Sequence, residues 1–471
     1  MRLLLFAGAY LGVTLLPLGV ILLGDEPASR GFWVELGVAF GFIGLAMIAL
    51  QAILTARLRR VSAFLGQDTL LQFHRQAGIV AVTLVLAHPL VLVLADSGYW
   101  AFLDPRVNLP RALALGLVLV ALPALVVTAL WRGRLRIPYE RWRAGHAALA
   151  ALVLAVGLVH IVSIRHYLED PLKQALWVAV AAASMASVAY VRLLRPLQLL
   201  RRPYRVVAVE PEAAGVWAVA VEPERPAAFQ FQAGQFALLT LGRSPFSLEQ
   251  HPFSISSSAR RPERLEFTIK ELGDFTSRIG EVAVGTRAYV DGPYGSLVLP
   301  RAPDAGLVLV AGGIGITPVV SMLRTLRDDG DRRPIVLVYA NDEIADIVFA
   351  GELEQMAAGG ELDLRVVRVL ARPPAGWTGE AGMITRALLA RYLPGEPGAW
   401  RYVLCGPAPM MEAAEQALLE LGVPLGRIES ERFDIEAAQA IGPRHAQVRR
   451  LVLALAGIMV LGSTLFAARL G

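Results

Sequence analysis

Apolar residues are spread unevenly along this chain. Long apolar runs fill most of residues 1–195, residues 203–440 read as ordinary globular sequence, and 451–468 is apolar again. Six runs in the first part, at about 3–23, 32–55, 77–95, 111–131, 146–164 and 175–194, are each near the ~20 residues that a helix needs to cross the hydrocarbon of a bilayer. Only helices can satisfy their backbone groups there, so the pattern predicts a six-helix bundle and one further C-terminal span. The first run is longer than the apolar core of a signal peptide, and no small-x-small site clearly follows it, so it reads as a retained helix.

The middle of the chain has a different period. Residues 203–300 alternate in short runs such as Val206-Val207-Ala208-Val209 and Leu265-Glu266-Phe267-Thr268-Ile269-Lys270, punctuated by Gly and Pro, which predicts a small antiparallel β-barrel. From 307 onward strands and helices alternate. Leu307–Val310, Ile335–Tyr339, Leu364–Val369 and Tyr402–Leu404 are buried-strand runs, and their spacing predicts a parallel α/β sheet. The first of these strands enters Ala311-Gly312-Gly313-Ile314-Gly315-Ile316-Thr317-Pro318 before a helical stretch. Glycines there let a backbone approach a pyrophosphate, and the helix N-terminus attracts its charge. The expected organisation is 1–200 membrane, 201–300 barrel, 301–437 α/β, and 438–471 linker plus final span.

Composition and charge refine this outline. The chain has 471 residues, is 55% hydrophobic and carries a formal charge of +5. The excess is mainly arginine beside membrane segments; no lysine-rich or aromatic-interleaved patch suggests nucleic acid. Cys405 is the only cysteine, so no intrachain disulfide is possible. Arg57, Arg59, Arg60 and Arg75 follow the second span; Arg132, Arg134, Arg136, Arg141 and Arg143 follow the fourth; Arg195, Arg201, Arg202 and Arg205 follow the sixth. The other loops hold few cations, and several carboxylates, among them Asp25, Glu26, Asp96 and Asp170. Positive residues mark cytoplasmic loops, so the soluble region is expected in the cytoplasm and the C-terminus outside.

Four of the seven histidines form two pairs of identical spacing: His74 and His88 on the third span, His146 and His160 on the fifth. Fourteen residues make close to four helical turns, or about 21 Å along one face. The two spans run in the same direction, which would place His74 level with His146 near the cytoplasm and His88 level with His160 near the outside. Neutral imidazole is a good axial ligand for haem iron, so two levels would hold two b-type haems. The plainer alternative is four histidines bonded to neighbouring helices, but polar groups in a membrane are costly and usually functional. Arg75 and Arg143 beside the inner pair and Arg165 beside the outer one are candidates for haem carboxylates, or simply interfacial anchors. His166 reads as a loop histidine or a group at the acceptor site, and His445 as part of a basic linker.

Three further motifs complete the set: His251-Pro252-Phe253-Ser254, Gly273-Asp274-Phe275-Thr276-Ser277 and Cys405-Gly406-Pro407. Their order resembles the ferredoxin–NADP reductase superfamily. Joined to the paired-histidine bundle, residues 30–437 resemble the NADPH oxidase and ferric reductase superfamily. The resemblance implies that His251 to Ser254 line FAD, with Phe253 packed on the flavin and Ser254 bonded near N5. It implies that Gly273, Thr276 and Ser277 hold the FAD pyrophosphate, with Lys270 in the same cofactor-binding set. Gly312, Gly313, Gly315, Thr317 and Pro318 would form the nucleotide phosphate turn. Cys405, Gly406 and Pro407 would lie near the nicotinamide, and Phe433 would shield the flavin face. Cys405, Ser254 and Phe433 are thus the candidate catalytic group.

The implied activity is an NAD(P)H oxidoreductase. FAD accepts a hydride and releases single electrons, which suits it to a place between nicotinamide and haem. Oxygen, giving superoxide, is the first candidate acceptor, because the outer loops carry no Cys/His/Met cluster that would hold a metal ion. Ferric-chelate reduction is the alternative, and a relay to a periplasmic protein or quinone a third. Two features depart from the family pattern. Ala340-Asn341-Asp342-Glu343 and Met383 lack the cation that meets a 2′-phosphate, which favours NADH, and the chain continues past Phe433 into another span.

Overall fold

The computed structural model describes residues 2–23, 28–56, 65–225, 229–242, 244–300, 304–431 and 443–471. Phe433 and Arg57, Arg59 and Arg60 lie outside the described residues. The chain divides into two compact units: residues 1–61, 69–194 and 444–471 form one, and residues 62–68 and 195–443 the other.

In the first unit, among the described residues, seven helices are long and apolar enough to cross a membrane. They are α1 (Arg2–Ile21), α2 (Phe32–Thr55), α3 (Gln67–Ala95), α4 (Leu109–Trp131), α5 (Tyr139–Ile164), α6 (Pro171–Ala189) and the C-terminal α12 (Pro443–Leu470). A π turn, Tyr190–Leu194, leads from α6 into the short α7 (Arg195–Leu200). Helices α3 and α5 begin before the apolar runs that identify them, so His74 and His146 lie within helix. Helix α2 is buried on every face and packs against α1, α5 and α6. The C-terminal helix sends Val448, Val452, Leu455, Met459 and Phe466 into the same core.

Small residues set how closely these helices approach. A Cβ on Gly44 of α2 would lie 2.6 Å from a methyl of Val85 on α3, and one on Gly157 of α5 would lie 2.7 Å from a methyl of Leu45. Close approach matters because lipid tails are as apolar as the side chains, so packing rather than water exclusion drives helix association.

The second unit holds two six-stranded sheets. The first is antiparallel, in the order β4-β3-β6-β1-β2-β5. Its strands are β1 (Tyr204–Ala213), β2 (Val216–Pro223), β3 (Phe236–Leu241), β4 (His251–Ser254), β5 (Leu265–Lys270) and β6 (Arg287–Tyr294). Its two ends approach through a bridge between Ile255 and Phe267, and Val206, Leu239, Phe267 and Val290 fill the space within.

The second sheet is parallel throughout, in the order β10-β9-β8-β7-β11-β12. Its strands are β7 (Leu307–Gly312), β8 (Ile335–Asn341), β9 (Leu364–Leu370), β10 (Glu380–Ala381), β11 (Arg401–Cys405) and β12 (Ile428–Ser430). Helices α8 (Ile316–Asp328), α9 (Ala350–Ala358), α10 (Arg386–Tyr392) and α11 (Ala408–Glu420) connect them. Both faces are covered, which explains the unbroken apolar runs of β7 and β11. The chain winds outward from β7 through β10, then returns to β11 on the other side of β7. The order reverses between β7 and β11, and open α/β sheets bind ligands at the carboxyl ends of such strands.

Helix α8 also grips the antiparallel sheet. Ser321 Oγ donates to the Ser257 carbonyl at 2.7 Å, and Thr325 Oγ1 accepts from Ala259 N at 2.9 Å. Arg324 pairs with Glu266 of β5 at 2.5 Å and with Glu352 of α9 at 2.8 Å.

Replacing Gly44 by Leu should force α2 away from α3 and cost about 1–3 kcal/mol, the usual penalty of overpacking. Thermal unfolding of the detergent-purified protein should show a lowered midpoint. Gly116→Ala, where a Cβ meets nothing within 4 Å, should leave it unchanged.

Candidate functional site

The four histidines meet in the predicted pairs. The rings of His74 and His146 have centroids 6.3 Å apart and planes at 68°; those of His88 and His160 are also 6.3 Å apart, at 75°. Two imidazoles bound to one metal, at about 2.0–2.1 Å per bond, place their ring centres about 6 Å apart. Both pairs therefore have the span that bis-histidine ligation of an iron would need.

The surroundings support that fit. His88 Nδ1 lies 2.8 Å from the Gly37 carbonyl. A carbonyl can only accept, so Nδ1 carries the proton and Nε2 keeps its lone pair for a metal. A Cβ on Gly41 would lie 2.8 Å from the same Nδ1, so only glycine lets the His88 ring lie against α2. The Nδ1 atoms of His74 and His146 are buried with no hydrogen-bond partner among the described residues. Buried polar atoms are rarely left so in a finished structure.

A cavity lies around the second pair. Val38, Phe42, Leu92, Leu119, Val156 and Ile161 contribute to a mostly apolar wall, and Tyr99, Phe102 and Leu103 line it as well. Arg165, at the end of α5, is exposed, as an interfacial anchor would be. Arg30 lines the cavity instead, with Nη2 donating to Tyr167 Oη at 2.7 Å; Tyr167 in turn donates to the buried carboxylate of Glu35 at 2.6 Å. His166 contacts the Ala28 carbonyl through Nε2 at 3.2 Å. At the first pair, Trp142 packs on His146 at 5.2 Å, and the Arg143 guanidinium lies over Tyr139 at 5.7 Å.

In the second unit, His251, Pro252, Phe253 and Ser254 form β4, paired with β3. His251 stacks on Phe275 at 4.2 Å, and Phe253 lies parallel to the same ring at 6.3 Å. Phe275 thus joins an aromatic shelf that the motif alone did not reveal. Lys270 ends β5. Thr276 turns its hydroxyl into its own loop, where it accepts from Leu272 N at 2.8 Å and Gly273 N at 3.0 Å; Ser277 Oγ donates to the Asp274 carbonyl at 3.2 Å. These hydroxyls shape the turn.

At the carboxyl ends of β7 and β11 the two glycine-rich segments meet. Gly312 ends β7, Gly313 has φ +52° and Gly315 precedes α8, where Thr317 Oγ1 donates to the Ile314 carbonyl at 3.0 Å and Pro318 lies in the first turn. A Cβ on Gly315 would collide with the Cys405 carbonyl, and one on Gly406 would come within 3.0 Å of Gly312 N. Pro407 then opens α11. Cys405 is fully buried, and burial, with Glu431 adding, pushes its thiol well above the ordinary range. Buried Glu431 accepts from Ser296 N at 3.4 Å and from Leu297 N at 3.2 Å, which ties the end of β12 to the loop after β6.

Known proteins with these parts are recognisable. Residues 40–157 match the ferric reductase like transmembrane component, 216–298 an FAD-binding domain and 309–416 the oxidoreductase NAD-binding domain. The chain belongs to the NADPH oxidase and ferric reductase superfamily. It is an oxidoreductase with a membrane domain joined to FAD- and NAD-binding reductase modules. It is 30% identical over 246 residues to the reductase component of propane 2-monooxygenase from Mycolicibacterium smegmatis, a match covering 50% of this chain and 68% of that protein. NADH-cytochrome b5 reductase 1 of Laccaria bicolor is 33% identical over 175 residues, 36% of this chain; the chain spans 57% of that relative's length. Among solved structures, the cytochrome b5 reductase domain of Ulva prolifera nitrate reductase matches 50% of this chain and 98% of its own at 20% identity, with a TM-score of 0.45.

The acidic run after β8 also has a partner that its local sequence does not show. Arg372 N donates to the Asp342 carbonyl at 2.9 Å, and its guanidinium lies 3.2 Å from Glu343. The oxidoreductase therefore does carry a cation at the edge of β8, paired with a carboxylate in solvent.

Gly315→Ala should push the β7 turn off the Cys405 carbonyl. In stopped-flow mixing with NADH, flavin reduction should slow at least tenfold, while the flavin content of the purified variant matches the parent.

Proposed function

We propose that this protein is a transmembrane NAD(P)H oxidoreductase that delivers single electrons to an acceptor outside the cell. In this reading residues 1–200 hold two b haems, 201–300 hold FAD in a small barrel and 301–437 bind the nicotinamide nucleotide, with the soluble modules in the cytoplasm of a bacterial inner membrane. The observation that carries the reading is the pair of equal histidine separations, 6.3 Å at each of two levels. Bound FAD would supply the conversion from hydride to single electrons, and bound haem would supply one-electron carriage.

The chain's own residues have defined parts. Gly312, Gly313, Gly315, Thr317 and Pro318 admit the nucleotide phosphates to the N-terminus of α8. Cys405, Gly406 and Pro407 set the nicotinamide edge; the Cys405 thiol stays protonated and packs rather than attacks. His251, Pro252 and Phe253 form the flavin shelf with Ser254 at its end, Lys270, Gly273, Thr276 and Ser277 shape its pyrophosphate side, and Phe433 covers the ring. His74 with His146 and His88 with His160 are the metal ligands. The arginine-rich loops orient the bundle so that His74 and His146 are the inner pair.

Oxygen, reduced to superoxide, is the first candidate acceptor and a ferric chelate the alternative, because outer-sphere transfer from a haem held by His88 and His160 needs no further ligand site. The largely aliphatic and aromatic wall of the cavity at His88 and His160 suits the faces of a haem.

The purified protein should show a low-spin b-type spectrum with two haems per chain. His74→Ala should remove one and His160→Ala the other, as read from pyridine-haemochrome content and redox titration. A spectrum indifferent to both substitutions would remove the basis of this reading.

Nucleotide choice follows from Asn341, Asp342, Glu343 and Met383, with Arg372 held by Glu343. NADH should be used at least as well as NADPH in steady-state kinetics. Glu343→Ala, which releases Arg372 to meet a 2′-phosphate, should raise kcat/KM for NADPH several-fold and leave that for NADH within twofold. A hundredfold preference for NADPH in the parent would contradict the assignment.

A further inference from the structure

The cavity at His88 and His160 is bounded by a segment to which the family resemblance assigns no part. Between α3 and α4 the chain forms a short 3₁₀ turn, Ser97–Phe102, and three residues of this region, Tyr99, Phe102 and Leu103, line the cavity. Asp96 caps the turn, accepting from Gly98 N at 2.8 Å. Tyr99 and Phe102 stack at 6.2 Å, and the Phe102 ring stands edge-on to His160 at 6.1 Å. The turn thus sets an aromatic side chain directly against one proposed iron ligand.

Arg111, in the first turn of α4, holds that side chain in place. Its guanidinium lies 4.4 Å from the centre of the Phe102 ring, and Nη2 donates to the Ala101 carbonyl at 2.8 Å. Cation–π contact and hydrogen bond act on adjacent residues, so Arg111 fixes the position of Phe102. Arg111 is thus engaged with the turn itself, as Arg30, which also lines the cavity, is with Tyr167. Phe102 is the aromatic side chain that this turn sets against His160. Trp100, 59% exposed on the same turn, is an amphipathic ring of the kind that anchors at a membrane–water interface.

We propose that Ser97–Phe102 is a size filter over the His88/His160 site, with Phe102 as the specificity-determining side chain that passes a diatomic acceptor and holds back a bulky chelate. The proposal rests on reading His88 and His160 as haem ligands. It goes beyond that reading in making acceptor choice a property of one aromatic side chain and the arginine behind it. An apolar shell of this kind also keeps water from the iron, and solvent access is one of the factors that set its potential.

The test reduces the purified holoprotein with dithionite, which bypasses nucleotide and flavin. Reoxidation by dissolved oxygen or by ferric citrate is then followed in a stopped-flow spectrometer. Phe102→Ala should raise the second-order rate with ferric citrate at least tenfold and change that with oxygen less than threefold. Phe102→Trp should shift the ratio the opposite way. Redox titration supplies a reading independent of turnover: in Phe102→Ala one of the two midpoint potentials should fall as water stabilises the ferric state, and the other should stay. A ratio and potentials unmoved in whichever variant assembles with two haems overturn the filter. A parent protein without haem overturns the ligand assignment instead, so the two failures are distinguishable.

Discussion

A bilayer core offers no hydrogen-bond partner to a polar group, and the membrane unit is organised around that constraint. Its backbone is helical because each N–H and C=O must be satisfied within its own segment. The few polar side chains inside are then either paired or set toward something that would complete them. Glu35 is paired, through Tyr167 and Arg30. His88 is paired through Nδ1 with the Gly37 carbonyl. His74 and His146 keep buried Nδ1 atoms without partners.

The same constraint explains the glycines of α2. With little gain from excluding water, helices in lipid hold together by close fit. Gly41 and Gly44 remove the side chains that would keep α2 from α3, and the His88 ring occupies the space at Gly41. Packing and ligand geometry therefore depend on the same residues. A change at Gly41 would therefore disturb both the helix packing and the His88 ring.

The second unit works by a different principle. Its parallel sheet brings strands from distant parts of the chain side by side, and β7 and β11 end at the same level. Gly315 and Cys405 meet there because neither offers a side chain to the contact: one has none and the other presents its carbonyl. The contact shapes a crevice for a nucleotide before any cofactor is present. Helix α8, which opens at this crevice, is tied along its length to Ser257, Ala259 and Glu266 of the antiparallel sheet. The segment after Ser254 and the phosphate turn are thus held by one rigid element, which suits a reaction that depends on the distance between two rings.

The sequence by itself determined the parts whose signal is local or periodic. Runs of about 20 apolar residues announced the spans, the fourteen-residue interval placed two histidines on one face of each of two helices, and the strand at Leu307 with its glycine turn carried its own chemistry. These are legible because helix pitch and strand pleat are the same in every protein. Tertiary structure alone decided which residues complete each site. Arg30 lines the second cavity in place of Arg165, Arg372 meets Glu343, Glu431 closes on Ser296 and Leu297, and Phe102 stands against His160 under Arg111. Each of these contacts joins segments from different parts of the chain. No periodicity relates such segments, because their meeting depends on how whole helices and strands pack.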